Sequence, residues 1–101
     1  MRPMAINIPK ERIETLCLRY QVRELAVFGS VLRPDFDSTS DVDFLVTFEP
    51  DCKCDLFDLS DLAQELEGIF GRHVDLVEKA ALKNPFRKKN IFNSMEIIYA
   101  A

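Results

Sequence analysis

The run Asp41–Glu49, DVDFLVTFE, constrains the fold more than any other stretch of the sequence. Side chains alternate across a strand, so residues two apart share a face. Val42, Phe44, Val46 and Phe48 make one wholly apolar face, which has to lie against a core. Asp41, Asp43, Leu45 and Thr47 make the other. Such a strand needs partner strands and a covering layer. It also sets two carboxylates on one face, with Cα atoms about 6.5 Å apart on strand geometry. Pro50 ends the run.

Two further strands are expected around it. Glu24–Phe28 (ELAVF) reads as short and buried, ended by Gly29-Ser30. His73–Val77 (HVDLV) repeats the alternating pattern, with Val74 and Leu76 on one face and His73, Asp75 and Val77 on the other. Pro9 opens a helix whose Ile13, Leu16, Cys17 and Tyr20 fall on one stripe. Asp55–Phe70 is the strongest helix, with Leu59, Leu62, Ala63, Leu66, Ile69 and Phe70 on one stripe and Gly71 as its stop. Ala80 to about Asn93 reads as helical with a break near Pro85. Val31–Arg33 reads as one helical turn before Pro34, and Asp35–Ser40 as a polar loop. Glu96–Tyr99 is either a closing strand or the end of the preceding helix. The order predicts an α/β (α+β) fold with a small sheet, its first two strands antiparallel or mixed. At 101 residues the chain suits one domain, 1–101, with one core.

The chemistry lies on the polar face. If the third strand neighbours the second, at about 4.8 Å, Asp75 joins Asp41 and Asp43. Three carboxylates that close repel one another unless a cation neutralises them. A hard divalent cation fits, and Mg²⁺ fits best because it combines one or two carboxylates with substrate phosphates. The alternating Asp35, Asp37, Thr39 and Asp41 suggest a calcium loop instead, but Ser40 stands where that loop needs Gly and Val46 where it needs Glu. Gly29 lets the backbone turn and approach a ligand, and Ser30 offers a hydroxyl and an N–H to a phosphate oxygen. The bland reading of Asp41 and Asp43, an exposed strand face, leaves Gly29-Ser30 unexplained.

The net charge of −4 argues against broad nucleic-acid binding, which needs clustered Lys and Arg. The charge is segregated. Asp35 to Asp61 holds nine acidic residues against Lys53 alone, whereas Lys79, Lys83, Arg87, Lys88 and Lys89 face no acidic residue in their own stretch. This is either a pair of solvated faces or a metal-binding face beside a patch for phosphates or a partner. Cys17, Cys52 and Cys54 have no disulfide-framework or zinc spacing, and Cys17 falls on an apolar helix face. They read as structural or incidental, in a reducing compartment. The N-terminus lacks an apolar leader core and no run reaches the ~20 apolar residues of a membrane span. A cytoplasmic protein is expected.

Gly29-Ser30, ten intervening residues, then Asp41-Val42-Asp43 resembles the signature of the polymerase-beta nucleotidyltransferase superfamily. Arg33 after Gly-Ser, Ser40 before the Asp pair, the later Asp75 and the short length resemble its minimal nucleotidyltransferase (MNT) members. The resemblance spans Glu24 to Val77. It implies a small mixed sheet with helices packed on one side. It implies transfer of a nucleoside monophosphate from an NTP to a hydroxyl, with release of pyrophosphate. Gly29 and Ser30 match the phosphate-holding turn, Asp41 and Asp43 the ligands of two Mg²⁺ ions, and Asp75 the third carboxylate, on the catalytic metal. Arg33 and Ser40 are implied nucleotide contacts. Many MNT proteins are antitoxins that adenylylate a tyrosine of a HEPN-domain toxin with ATP. The resemblance therefore implies a HEPN toxin as partner, in a hetero-oligomer, with a homo-oligomer left open. The alternatives are an antitoxin that acts by binding alone and a transferase acting on a small molecule or an RNA end.

Overall fold

A computed structural model describes residues 6–34, 37 and 39–101, with Ser30 described by its backbone only. Helix α1 (Lys10–Arg19) leads into strand β1 (Val22–Phe28). A short 3₁₀ turn (Gly29–Leu32) follows, then strand β2 (Val42–Phe48), helix α2 (Leu56–Phe70) and strand β3 (Val74–Glu78). A second 3₁₀ turn (Lys79–Ala81), helix α3 (Pro85–Ser94) and strand β4 (Glu96–Ala100) complete the order. The sheet runs β3-β2-β1-β4. β1 is antiparallel to both β2 and β4, while β2 and β3 are parallel, so the sheet is mixed as expected. The parallel pair requires a crossover, and α2 supplies it.

Local chemistry explains the helix limits. Asp55 accepts from the Asp58 backbone N–H while the Asp58 side chain accepts from the Asp55 N–H, a reciprocal capping box that starts α2. Gly71, at φ +67, ends it in the left-handed conformation. The break expected near Pro85 is a helix start. Asn84 caps the Phe86 and Arg87 N–H groups, and Pro85 sits where its missing N–H costs nothing. Glu96–Ala100 resolves as a strand, held on β1 with Leu25 opposite Tyr99.

The core has two parts, one on each face of the sheet. Ile13, Leu16 and Cys17 of α1 and Leu62 and Leu66 of α2 meet Leu25, Val27, Val42, Phe44, Val46 and Val74 on the first face. Phe44 is fully enclosed there, its ring centroid 5.4 Å from that of Phe70. Burial pushes the Cys17 thiol up to about 12. On the second face Ala26, Phe28 and Leu45 meet Leu82 and Ile91, with Val77, Phe92 and Met95 against them. The helices expected on one side are thus α1 and α2, and α3 covers part of the other. The polar face of β2 is accordingly half closed, because Leu45 on that face is buried.

Candidate active site

Register builds the site. Phe28 pairs across to Asp43, and Asp43 pairs across to Asp75. The end of β1, the start of β2 and the start of β3 therefore meet at one edge of the second face, beyond the apolar cluster under α3. Asp43 is half-buried and Asp75 exposed, side by side on adjacent strands about 4.8 Å apart.

Gly29 follows Phe28 at φ +77, in the region that disfavours L side chains. A Cβ placed there would collide with Asp43 Oδ2. Two independent constraints, backbone conformation and space, thus require glycine at the one point where the turn leaving β1 passes the Asp43 carboxylate. That close passage brings a backbone turn and a carboxylate to the same spot, as a phosphate-plus-metal site demands.

Asp41 stands just before β2 and is exposed; the expected strand start at Asp41 shifts to Val42. His73 Nδ1 approaches Asp41 Oδ2 to 3.5 Å, and His73 Nε2 lies 3.9 Å from Glu67 Oε2. The His73 carbonyl accepts from the Val42 N–H at 3.1 Å, which extends the β2–β3 pairing to the carboxylate end.

Ser40 is occupied within its own loop. Its hydroxyl accepts from the Asp37 N–H at 3.1 Å and reaches Asp37 Oδ1 at 3.2 Å. Asp37 Oδ1 also accepts from the Thr39 N–H (2.9 Å) and the Thr39 hydroxyl (2.7 Å). The Thr39 hydroxyl and backbone bonds, ahead of those from Ser40, hold the Asp37 carboxyl below its usual range. Arg33 is exposed at the end of the turn after Gly29. The Ser30 side chain, and Asp35 from the acidic stretch, lie outside the described residues.

Among the described residues no three His, Cys, Asp or Glu side chains converge as a ready metal cage. The donor set fits Mg²⁺ all the same. That ion takes one or two carboxylates and completes its shell with water and substrate phosphates, and Asp43 and Asp75 are carboxylates on adjacent strands beside the Gly29 turn.

Other sequence expectations also find their places. Cys17 is core. The sulfurs of Cys52 and Cys54 are brought together across Lys53, near the Tyr20 carbonyl. In the basic run, Lys79 lies 5.3 Å over the Phe92 ring, while Lys83, Arg87, Lys88 and Lys89 are exposed. No helix among the described residues is long and apolar enough to cross a membrane. Arg72 was not singled out by sequence reasoning. Its Nη1 donates to the carbonyls of Asp37 and Ser40, both at 3.0 Å. A side chain gripping backbone more than thirty residues away leaves no periodic mark, and its position just after the Gly71 stop was the sole local cue.

The four-stranded mixed sheet with its helices is that of nucleotidyltransferase-fold proteins. The chain belongs to the nucleotidyltransferase domain family, which matches residues 10–98. The Thermococcus cleftensis protein adenylyltransferase MntA is 40% identical over 81 residues, 80% of this chain and 77% of its own length. A solved toxin–antitoxin complex with AMP-PNP superposes at TM-score 0.73 and 19% identity, over 93% of this chain and 75% of the matched one. A solved complex of a tri-AMPylated Shewanella oneidensis HEPN toxin with an MNT antitoxin gives TM-score 0.65 at 18% identity, over 91% of this chain and 70% of the matched one. At those identities the two complexes speak for the fold.

Proposed function

We propose that this chain is a minimal, cytoplasmic protein adenylyltransferase that moves AMP from Mg²⁺-bound ATP to a hydroxyl of a partner protein. The partner would be a HEPN-domain toxin, the acceptor a tyrosine, and the effect of the reaction neutralisation of the toxin. The observation that carries the reading is the pairing of Asp43 with Asp75 beside a turn where only glycine fits. Support for the adenylyl donor and the protein acceptor comes from the adenylyltransferase relative and from the AMP-PNP and AMPylated-toxin complexes.

The reaction forms a bond between the acceptor oxygen and the α-phosphorus. It breaks the bond from that phosphorus to the bridging oxygen, whose electron pair leaves with pyrophosphate. In this reading Asp41, Asp43 and Asp75 hold the metal ions, and Mg²⁺ bound there supplies charge neutralisation of the triphosphate and of the entering oxygen. Asp75, exposed at the edge, accepts the hydroxyl proton. Gly29 lets the turn approach the phosphates, and Ser30 and Arg33 contact them. The role of Ser40 is to shape the loop through Asp37 as well as to face the nucleotide. Positioning and electrostatics account for most of the acceleration in such transfers.

The test is incubation with Mg²⁺ and ATP labelled at the α-phosphate, in lysate of the source cells, beside Asp43→Asn. A labelled protein band made by the wild type and not by the variant is the expected result. Label in nucleic acid or a small product would replace the acceptor class. Protection from the toxin that survives Asp41→Asn would support an antitoxin acting by binding alone.

A further inference from the structure

The loop that delivers Ser40 and Asp41 to the site has no buried side chain among its described residues. Among those described residues, hydrogen bonds rather than apolar packing hold it. Those within the loop close it on itself around Asp37. They shape it without fixing where it sits against the sheet.

An external restraint comes from the segment between α2 and β3. Arg72 Nη1 donates to the Asp37 and Ser40 carbonyls at the two ends of the turn. The next residue, His73, meets the Asp41 carboxylate with its ring and the Val42 N–H with its carbonyl. The segment is itself pinned: Gly71 closes α2 through the Glu67 carbonyl, and the Val74 N–H donates to Glu67 Oε2 at 3.1 Å. A guanidinium stays charged throughout the working pH range and holds its donors in a rigid fork. It suits a permanent clamp better than a hydroxyl or an amide would.

We infer that Arg72 is a positioning residue: by fastening loop 37–41 to the start of β3, it sets Asp41 in register with Asp43 and Asp75 and so completes the metal-holding carboxylates. The inference rests on the nucleotidyl-transfer reading for what Asp41 does, but not for the clamp itself.

Arg72→Ala and Arg72→Lys in the full chain test it, beside wild type and Asp43→Asn. Amide exchange of Thr39 and Ser40 in the metal-free protein reads the clamp. Mn²⁺ titration followed by its paramagnetic signal reads the carboxylates, and labelled-ATP transfer reads the reaction. In Arg72→Ala, which loses both bonds, exchange should rise by at least about tenfold, the lower end for one hydrogen bond to a charged group. Mn²⁺ half-saturation should weaken about 10- to 100-fold, as for other residues that orient metal ligands. Transfer at low Mg²⁺ should fall in step and recover partly at high Mg²⁺, with the melting temperature near that of wild type. Arg72→Lys keeps the charge without the fork and should fall between; if the alanine variant does not fold, it carries the test. Unchanged exchange or unchanged Mn²⁺ affinity would overturn the inference. A wild type that binds Mn²⁺ but transfers nothing overturns the reaction reading instead, and the exchange and Mn²⁺ shifts then still decide the clamp.

Discussion

Asp43 and Phe44 are neighbours in β2 and point to opposite faces of the sheet. Phe44 meets α1 and α2 in a face closed along its whole length, from Val22 at one end of the sheet to Val74 at the other. Asp43 faces a side that, among the described residues, Leu82 and α3 close over Ala26, Phe28 and Leu45. Past that patch the strand ends stand open and carry Gly29, Asp43 and Asp75. The contrast separates two tasks that small domains often have to share. Stability is concentrated on the closed face, which leaves the open edge free to carry carboxylates on adjacent strands. A second helix layer over the whole sheet would have buried the carboxylates without water or metal, which is strongly unfavourable.

Removing the charge on the open side gives the largest effect. Asp43→Asn keeps the side-chain shape and takes away a carboxylate that the proposed mechanism assigns to metal. Transfer should fall by about 10⁴-fold, the scale for losing a group central to the chemistry. The melting temperature should stay near that of wild type, because Asp43 belongs to neither apolar cluster. A large loss of stability in that variant would break the division between the faces.

Phe44→Ala is the mirror experiment. Phe44 is fully buried among α1, α2 and Phe70. Its truncation should cost about 3–5 kcal/mol, a large share of the ~5–15 kcal/mol of a typical domain. Urea denaturation should show the midpoint shift. The rate of transfer per folded molecule, measured where the variant is still native, should stay near that of wild type.

Gly29→Ala tests the seam between the regions. The left-handed backbone costs an alanine about 1–2 kcal/mol, and its Cβ would push on Asp43 Oδ2. Stability should drop modestly and transfer by more than that drop explains. Equal losses in both would mean the turn is structural and nothing more.

The same contrast governs what the sequence disclosed. The closed face was legible because period-two alternation in β2 and a helical stripe in α2 are both local patterns. The pairing of Asp43 with Asp75 was legible for the same reason, once the two strands were taken as neighbours. The second apolar cluster was not. Leu45 falls between Asp43 and Thr47 on the face that carries the carboxylates, and α3 offers just Ile91 as a buried residue, too little to make a stripe. The continuous apolar run Leu25–Phe28 held the missing hint, since a strand buried on both faces needs cover on both. Glu96–Tyr99 is open between strand and helix end in the sequence because Met95 alone stands between it and α3. Arg72 and the His73–Asp41 approach depend on contacts distant in sequence, which no spacing rule reports.

The smallest effect belongs to the loop that links the two regions, and it is one of pH. Asp37 is exposed, and its carboxyl is held below the usual range chiefly by the Thr39 hydroxyl, then by the Thr39 backbone, with Ser40 adding less. A carboxylate whose folded pKa is depressed contributes order that is fully present above its unfolded value, near 3.9, and is lost as pH falls through the lowered folded value. The Thr39 amide should therefore keep its hydrogen-bonded resonance down to about pH 4 and lose it below that, while amides under Phe44 change only with global unfolding. Asp37→Asn keeps an acceptor oxygen for the Thr39 N–H and removes the titrating charge. The acid-dependent step at Thr39 should then disappear while the turn survives at neutral pH. If the step persists in that variant, another group sets it, and the open edge is tied to the closed face more tightly than its hydrogen bonds suggest.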